Sequence, residues 1–381
     1  MKTVIAIDSF KGSLSSREAG DAVKEAILSH DPTAEVIISP IADGGEGTFR
    51  AITDARGGSI ISLSVTGPIG DCVNASYGIV DGENGKTAII EMAEAAGITS
   101  VAPELRNPLN TTTYGVGEMI KDAIINHGCC DFIIGIGGSA TNDGGIGMLT
   151  ALGFEFLDET EKPVSIFGRG LSDIVKISLK NALPQLKECR IRVACDVTNP
   201  LCGDRGCSRI FGPQKGADEE IIKKMDAWLE SYASLTKDIL PNSDKDASGA
   251  GAAGGLGFAF LSYLNATLSS GIELVIEATG LSELVIGADL VITGEGRLDG
   301  QSCMGKAPVG VAKCAKKQGI PVIAFSGAVT DDAHLVNEHG IDAFFPILRA
   351  PCTLDEAMDK KNAYNNLRST AIQAIRLFKI Q

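Results

Sequence analysis

A glycine-rich segment, GIGGSATNDGG at residues 135–145, restricts the folds open to this chain more than any other stretch. It overlaps the end of the apolar run Phe132–Ile136, which predicts a buried strand, and a helix-like stretch comes after it. Glycines at the end of a buried strand let the backbone turn sharply and approach a ligand closely. The order of strand, glycine loop and helix is typical of α/β proteins that bind phosphate at a helix start.

Two familiar nucleotide-binding motifs do not fit the chain. Position 140 is Ala, so the loop is not a GxGxxG fingerprint, and none follows the first strand, which argues against a nicotinamide dehydrogenase. A near match to a P-loop, Gly300 to Lys306, is followed by Ala307 where Ser or Thr would bind magnesium. The nearest predicted strand also ends several residues too early, so we reject a P-loop.

Both ends of the chain alternate strands with helices, the pattern of a parallel sheet. A helix is predicted from Ser15 or Ser16 to about His30, with Glu18 at capping-box spacing from Ser15. One long helix, roughly Leu354–Lys379, is predicted to close the chain. The predicted strands are Thr3–Ile7, Glu35–Ser39, Asp289–Thr293, Pro321–Phe325 and Ala343–Pro346.

The middle of the chain has a different texture, with antiparallel strands predicted at 60–65, 75–80 and 88–91 and a turn at 82–85. We therefore predict an α/β protein of two domains. The first is a doubly wound, Rossmann- or flavodoxin-like parallel-sheet domain built from both chain ends, residues 1–65 plus 285–381. The second is an inserted mixed α/β domain, residues 66–284.

Composition narrows the class of function. The length of 381 residues favours two domains, and a net charge of −14 repels nucleic acid and anionic membrane surfaces. Neither a signal peptide nor an apolar run of transmembrane length is seen, so we expect a cytoplasmic protein. The 10 cysteines show no disulfide or zinc pattern. A homo-oligomer is compatible with the sequence.

Six polar or glycine-rich clusters fall at the carboxyl ends of predicted strands, the edge where open parallel sheets bind ligands. Taken singly, several fit a plain turn or a helix cap equally well; their common edge is what predicts a site. None contains His, so carboxylates are the candidate bases, and this repertoire fits phosphoryl transfer. The candidate residues are Asp8, Ser9 and Lys11; Asp43, Gly44, Gly45 and Glu46; Thr111, Thr112 and Thr113; Gly137, Gly138, Ser139, Thr141, Asn142 and Asp143; Asp196 and Asn199; and Glu295, Arg297, Asp299, Gln301 and Lys306.

Five motifs together resemble the type 1 glycerate kinase family of bacteria. They are DSFKGSLSS at 8–16, ADGGEGT at 42–48, IGGSATNDGG at 136–145, CDVTNPLCG at 195–203 and GEGRLDGQS at 294–302. The resemblance spans essentially the whole chain in the expected order. It implies phosphorylation of D-glycerate by ATP with Mg²⁺, and two α/β domains with the active site in the cleft between them.

Individual roles are our hypotheses. Asp196 orients or deprotonates the glycerate hydroxyl, with Asp8 and Asp43 as rivals, and the same three aspartates are candidate Mg²⁺ ligands. Lys11 and Arg297 bind the substrate carboxylate or the transferred phosphoryl group.

Two other functions stay open at this point. One is a kinase of another small hydroxy acid or sugar acid on the same scaffold. The other, from a different class, is a non-catalytic sensor that binds a metabolite in the same cleft. The sequence also leaves open whether phosphate goes to the 2- or the 3-hydroxyl.

Overall fold

The computed structural model describes residues 1–82 and 85–379, which form an α/β structure. The strands are β1 (Lys2–Ile7), β2 (Glu35–Ile38), β3 (Ser59–Thr66), β4 (Cys72–Gly82), β5 (Gly85–Glu91), β6 (Asp131–Gly135), β7 (Glu155–Leu157), β8 (Lys176–Ser178), β9 (Arg190–Ala194), β10 (Thr267–Ser269), β11 (Leu290–Leu298), β12 (Val322–Val329) and β13 (Ala343–Pro346).

The helices alternate with these strands over much of the chain. They are α1 (Ser16–His30), α2 (Thr48–Arg56), α3 (Ala93–Ala96), α4 (Tyr114–Ile125), α5 (Ile146–Ala151), α6 (Cys207–Phe211), α7 (Glu219–Ile239), α8 (Ala252–Tyr263), α9 (Gly271–Thr279), α10 (Leu281–Leu284), α11 (Ala307–Lys316), α12 (Leu354–Met358) and α13 (Lys360–Phe378). Within the described ranges, no helix is both long enough and apolar enough to cross a membrane.

The first sheet takes its strands from both ends of the chain, which confirms the predicted fold class. Over the described residues its order is β13-β12-β11-β1-β2, and every neighbouring pair is parallel. β1 lies inside this sheet because its sequence, KTVIAI, supplies apolar side chains to both faces. Helices α1 and α13 share an apolar core with it, including Val23 and Leu367.

The start of α1 follows the predicted capping box. The Glu18 N–H donates to Ser15 Oγ at 3.3 Å, and the Ser15 N–H donates to Glu18 Oε2 at 3.0 Å. These two bonds satisfy backbone donors that the first helical turn leaves without partners. The helix start places the preceding loop, which carries Asp8 and Lys11, at the carboxyl end of β1.

The second sheet is mixed, as predicted. Over the described residues its order is β10-β9-β6-β5-β4-β3; the first four strands are parallel, and β4 and β3 add antiparallel pairs. Strands β7 and β8 form a separate antiparallel pair. The middle of the turn predicted at 82–85, residues 83 and 84, lies outside the described residues.

The chain divides into two compact units. The first comprises residues 1–43, 50–56 and 272–381, and the second comprises 44–49 and 57–271. Strand β3 pairs with β4, which is why residues 59–65 belong to the second unit. The domain boundaries at 65/66 and 284/285 stay a prediction.

Several elements differ from their predicted bounds, and two of the differences have a clear physical reason. β11 continues past Thr293 to Leu298, because Arg297 and Leu298 pair with residues of β12. The predicted closing helix is interrupted at Asp359, whose backbone is extended (ψ 125°) and whose Oδ1 accepts the Asn362 N–H at 2.9 Å. An Asp side chain that caps the following turn competes with helix continuation, so α12 and α13 are separate helices.

Candidate active site

The carboxyl edge of the first sheet carries a cavity of about 390 Å³. It lies wholly within the first compact unit. Three of the six predicted clusters meet there, because β1 and β11 are neighbouring parallel strands whose ends reach the same edge. The predicted site residues that line it are Asp8, Ser9, Lys11, Asp43, Glu295, Arg297, Asp299 and Lys306.

The carboxylates of this cavity are close enough to disturb one another. Burial and, after it, the negative charge of Asp43 raise the pKa of Asp8 to about 7, while a hydrogen bond from the Ser9 N–H, 2.6 Å from Oδ1, opposes the rise. Burial also raises the pKa of Glu295, although Ser302 Oγ donates to its Oε1 at 2.6 Å. Grouped carboxylates of this kind favour a bound cation, which relieves their repulsion.

Cationic side chains stand beside these acids. Lys306 Nζ lies 3.8 Å from Glu295 Oε2 and 3.6 Å from Asp299 Oδ1. Arg297 Nε lies 3.4 Å from Asp299 Oδ2, and the Arg297 side chain is exposed. Lys306 also occupies the N-cap position of α11, so its charge adds to the positive end of the helix dipole. Phosphate oxygens are the natural ligands of such a group.

Asp299 has a structural role as well. Its Oδ1 accepts the N–H groups of Gln301 at 3.0 Å and Ser302 at 3.2 Å, which caps the short 3₁₀ helix Gly300–Met304. The Gln301 side chain is exposed. The cap therefore fixes the chain that leads from β11 to Lys306.

In the second unit, residues 44–48 of the ADGGEGT loop pack against the carboxyl edge of its sheet. A β-carbon at Gly44 would lie 2.6 Å from Gly271 Cα and 3.0 Å from Ala194 Cβ, and Gly44 has φ +91°. A β-carbon at Gly135 would lie 2.6 Å from the Gly44 oxygen. Only glycine fits these positions, because backbone meets backbone with no room for a side chain. Gly45 is half-buried and Glu46 is exposed in the same loop.

Glu91, at the end of β5, holds the end of this loop. Its carboxylate accepts the Phe49 N–H at 2.8 Å and the Gly47 N–H at 3.2 Å. Burial raises the pKa of Glu91 to about 7, against these two hydrogen bonds. The residue satisfies backbone donors at the start of α2, where an anion is favoured by the helix dipole.

The glycine-rich loop that precedes α5 is held by a buried carboxylate. Asp143 Oδ2 accepts the Thr113 N–H and hydroxyl, both at 2.8 Å, and the Gly147 N–H at 3.3 Å, while Oδ1 accepts the Gly145 N–H at 3.1 Å. Burial raises the pKa of Asp143 in spite of these bonds. The carboxylate thus ties the start of α4 to the start of α5.

Several other predicted ligands in this region are buried, and the side chains of three of them are hydrogen-bonded to the protein. Thr112 Oγ1 donates to the Ile166 oxygen at 2.7 Å, and Asn142 Nδ2 donates to Ser208 Oγ at 2.8 Å. Thr111 Oγ1 lies 3.3 Å from the Ala140 oxygen, and Thr141 is fully buried. These placements favour support of the loop over direct contact with substrate. Gly137 and Gly138 are exposed and leave the backbone open to a ligand.

Lys215 completes this buried network. Its Nζ donates to Ser139 Oγ at 2.8 Å and to the Thr141 oxygen at 2.6 Å, directly behind the glycine-rich loop. Burial lowers the pKa of Lys215 to about 8, although the negative charge of Asp143 favours its protonated form. The ammonium therefore fixes two consecutive parts of the loop from inside the unit.

Asp196 and Asn199 follow β9 in the second unit. Asp196 is exposed, and its Oδ1 accepts the Gly271 N–H at 3.1 Å. Asn199 Nδ2 donates to the Arg205 oxygen at 2.9 Å. The Gly271 N–H therefore restricts the orientation of the Asp196 carboxylate.

Sequence reasoning missed Glu91 and Lys215. Glu91 has a signal, because an acidic residue at the end of the apolar run 88–91 lies at the ligand-binding edge of a parallel strand. Lys215, in FGPQKGA at 211–217, has no local signal that separates it from a surface lysine. Its burial depends on packing between segments distant in sequence.

The fold and these two groups of residues define an α/β protein built to handle phosphorylated ligands, with carboxylates, cations and glycine loops at the carboxyl edges of parallel strands. Comparison with known proteins identifies the family. The sequence model of the glycerate kinase family matches residues 3–379, and the chain belongs to that family. The resemblance of the five motifs is thereby confirmed.

Individual relatives are similar in sequence to this chain over nearly their full length. The chain is 50% identical over 367 residues to the protein named glycerate 2-kinase of Escherichia coli (strain K12), covering 96% of this chain and 95% of that one. It is 48% identical over 377 residues to the protein named glycerate kinase of Haemophilus influenzae, covering 99% and 98%. A crystal structure from Salmonella typhimurium LT2, of a protein provisionally named glycerate kinase 2, has a TM-score of 0.90 at 44% identity, covering 100% and 98%.

The packing of Gly44 gives the first testable prediction. Gly44→Ala should impair both folding stability and activity, because the new methyl group collides with Gly271 as well as forcing a strained φ, which alone costs about 1–3 kcal/mol. Gly47→Ala is the matched control, because Gly47 lies in the same loop with the same φ of +91° and has no atom within 4 Å of its β-carbon position. Thermal denaturation and turnover of both variants check this; equal effects would contradict it.

The buried ammonium of Lys215 gives a pH-dependent prediction. Its folded-state pKa of about 8 lies below the ordinary 10.5, so the native state binds fewer protons than the unfolded state between these pH values. Stability contributed by this group therefore rises with pH across that window. Lys215→Met should lower the free energy of unfolding at pH 7 by about 1–3 kcal/mol, since Ser139 and Thr141 lose a buried donor.

The test is denaturant unfolding of wild type and Lys215→Met from pH 7 to 10.5. We expect the stability difference to widen above pH 8, because only the wild type contains the titrating group. Lys223→Met, at an exposed lysine of α7, is the control and should show no such widening. A constant difference across the window would contradict the assignment.

Proposed function

We propose that this member of the glycerate kinase family transfers the γ-phosphoryl group of ATP to the 2-hydroxyl of D-glycerate. The observation that carries the proposal is the cavity of the first unit, where Lys11, Arg297 and Lys306 stand beside the carboxylates of Asp8 and Asp43. Charge neutralisation and positioning are what phosphoryl transfer requires of a protein. The choice of the 2-hydroxyl follows the name of the relative from Escherichia coli.

A magnesium ion fits the chemistry of this cavity. Asp8 and Asp43 offer the hard oxygen ligands that Mg²⁺ prefers, and Asp43 adds negative charge next to Asp8 and Glu295. In the described part of the chain, no group of three or more metal-ligating side chains could hold an ion alone. In proteins, Mg²⁺ commonly keeps water and takes substrate phosphates as its other ligands. When bound, the ion would neutralise charge on the β- and γ-phosphates.

The cationic side chains would share the remaining charge of the phosphates. Lys306 is held by Glu295 and Asp299 at the N-terminus of α11, where helix dipole and ammonium act on an anion together. Arg297, exposed and 3.4 Å from Asp299, is suited to bind a planar carboxylate through two N–H groups. Lys11 supplies an exposed point charge from the loop after β1.

In the transfer step, the glycerate hydroxyl oxygen forms the new bond to the γ-phosphorus as the bond to the ADP oxygen breaks. The hydroxyl proton passes to a carboxylate. Asp196 is our first choice for that base, since the Gly271 N–H fixes one of its oxygens; Asp8 and Asp43 stay rivals. The glycine-rich loop around Gly137 and Gly138 would bind phosphate through its backbone.

Three further parts of the proposal rest on the family resemblance and the sequence alone. They are an active site in the cleft between two domains, a cytoplasmic location and the compatibility with a homo-oligomer.

The decisive experiment incubates the purified protein with D-glycerate, ATP and magnesium, and follows ADP release and the phosphoglycerate isomer by phosphorus NMR. We expect glycerate-dependent ADP release and a single 2-phosphoglycerate signal. A 3-phosphoglycerate signal would overturn the regiochemistry alone. No turnover above the ATP-only control, with turnover of another hydroxy or sugar acid, would overturn glycerate as the substrate; ligand binding without any turnover would favour a sensor.

The role of Asp196 gives a further prediction. Asp196→Asn retains an oxygen for the Gly271 N–H but cannot accept the hydroxyl proton, so turnover should fall by about 10²–10⁴-fold. ADP binding, measured by calorimetry, should be unchanged. The matched control is Asp204→Asn, at a fully exposed aspartate of the same unit, which should retain wild-type turnover. Near-normal turnover of Asp196→Asn would remove Asp196 from the role.

A further inference from the structure

The cavity of the first unit has walls of two kinds. One wall, from the ends of β1 and β11 and the segments that follow them, carries the carboxylates and cations already described. The other comes from the segment that follows β13 and from the first turn of α13. Every residue that these two parts contribute to the lining is apolar; they are Ile347, Leu348, Leu354, Ala357, Met358 and Ala363. We call these six residues the apolar wall.

Helical periodicity places the α12 residues of the apolar wall on one side of that helix. Leu354, Ala357 and Met358 are spaced i, i+3 and i+4 in α12, so they share one face of that helix. The acidic residues of α12, Asp355 and Glu356, do not line the cavity. The helix therefore presents its apolar face to the cavity and its charged residues elsewhere.

Exposing these apolar side chains to water is unfavourable in free energy. Leu354 is 77% exposed, and Leu348 and Met358 are 39% and 36% exposed. The conformation is nevertheless fixed at both ends of α12, by the Thr353–Glu356 capping box and by Asp359, which caps α13. Exposed large apolar side chains gathered on a fixed surface mark a binding site.

The chemistry of the two proposed substrates decides what covers this wall. Glycerate has three carbons, each bearing oxygen, and a triphosphate is charged throughout, so neither gains from apolar contact. The base of a nucleotide is flat, largely apolar and as large as an aromatic side chain. The cavity volume of about 390 Å³ lies within the range of about 300–1,000 Å³ typical of small-molecule sites.

The apolar wall also contacts the loop that carries Lys11. A β-carbon at Gly12 would lie 2.7 Å from Met358 Cε, so the methionine side chain packs directly on that backbone. One ligand can therefore reach both the apolar wall and the cations. A thioether beside an aromatic ring is itself favourable, by about 0.3–1.5 kcal/mol.

From these observations we propose that the base of ATP binds against Leu354 and Met358 of α12, with its phosphates directed to Lys11 and Lys306. This inference rests on the proposed function, because it takes ATP as the phosphoryl donor. It assigns α12 as the element that recognises the nucleoside, and it leaves glycerate to the polar groups.

The test compares ligands with and without a base. Calorimetry measures binding of ADP and of inorganic tripolyphosphate to wild type and to Leu354→Ala/Met358→Ala. We expect ADP affinity to fall about 10–100-fold, which corresponds to the loss of about 1.4–2.8 kcal/mol of apolar contact. Tripolyphosphate affinity should be unchanged, because it has no base. In steady-state assays the KM for ATP should rise and the KM for glycerate should not.

Leu377→Ala is the matched control, because Leu377 is 59% exposed on α13 and lies outside the cavity. The single variant Leu354→Ala controls for misfolding of the double variant, because truncating so exposed a side chain leaves no cavity in the core. It should weaken ADP binding in the same direction, with an unchanged circular dichroism spectrum.

Three results would overturn the inference. They are ADP affinity within twofold of wild type, an equal loss of tripolyphosphate binding, and a change in sedimentation without a change in ADP affinity, which would make the apolar wall a self-association surface. Failure of the proposed function is distinguishable from these, because a wild-type protein that does not phosphorylate glycerate can still be titrated with ADP and tripolyphosphate.

Discussion

The buried carboxylate of Asp143 is the interaction on which the glycine-rich loop depends. Its oxygens collect backbone N–H groups from the start of α4 and from the loop before α5, together with the Thr113 hydroxyl. A carboxylate buried this completely is tolerated only when its hydrogen-bonding capacity is filled. The positive charge of Lys215 lies within the same network. The exposed glycines of the loop are thus positioned from behind, by side chains that need not touch a substrate.

The cavity of the first unit differs from this network in its electrostatics, because it combines buried acids with cations. The chain carries a net charge of −14, yet its cavity gathers cations beside buried acids. With a folded-state pKa of about 7 against an ordinary 3.8, Asp8 binds a proton more readily in the folded chain than in the unfolded one. Its contribution to stability therefore falls as pH rises through this window. A divalent cation that bound only the folded state would offset this cost, so the acids destabilise the protein where they serve the proposed reaction.

The sequence predicted the features of the fold that depend on local pattern. It did not predict those that depend on packing between segments distant in the sequence. The β-branched runs predicted the parallel sheet from both chain ends, and Ser15 with Glu18 predicted the start of α1. The motifs predicted the family. Burial of Thr141 and Asn142 could not be predicted, because polar residues in a glycine loop look the same whether they face a ligand or the core. The division at Asp359 was missed for a similar reason, since one side-chain cap outweighs the helical pattern on either side of it.

Departures from ordinary folding rules are concentrated at the candidate site. Leu354 is exposed, Asp8 is buried, and Gly44 has a left-handed backbone against another glycine. Each feature costs stability, and each lies in or next to a predicted motif or the cavity of the first unit. Lys215 is the informative exception, because it lies outside the five motifs and still supports one of them. Asp143 supports the glycine-rich loop from inside a motif, whereas Lys215 supports the same loop from a segment outside all five, so a motif scan alone does not find every residue that holds the loop in place.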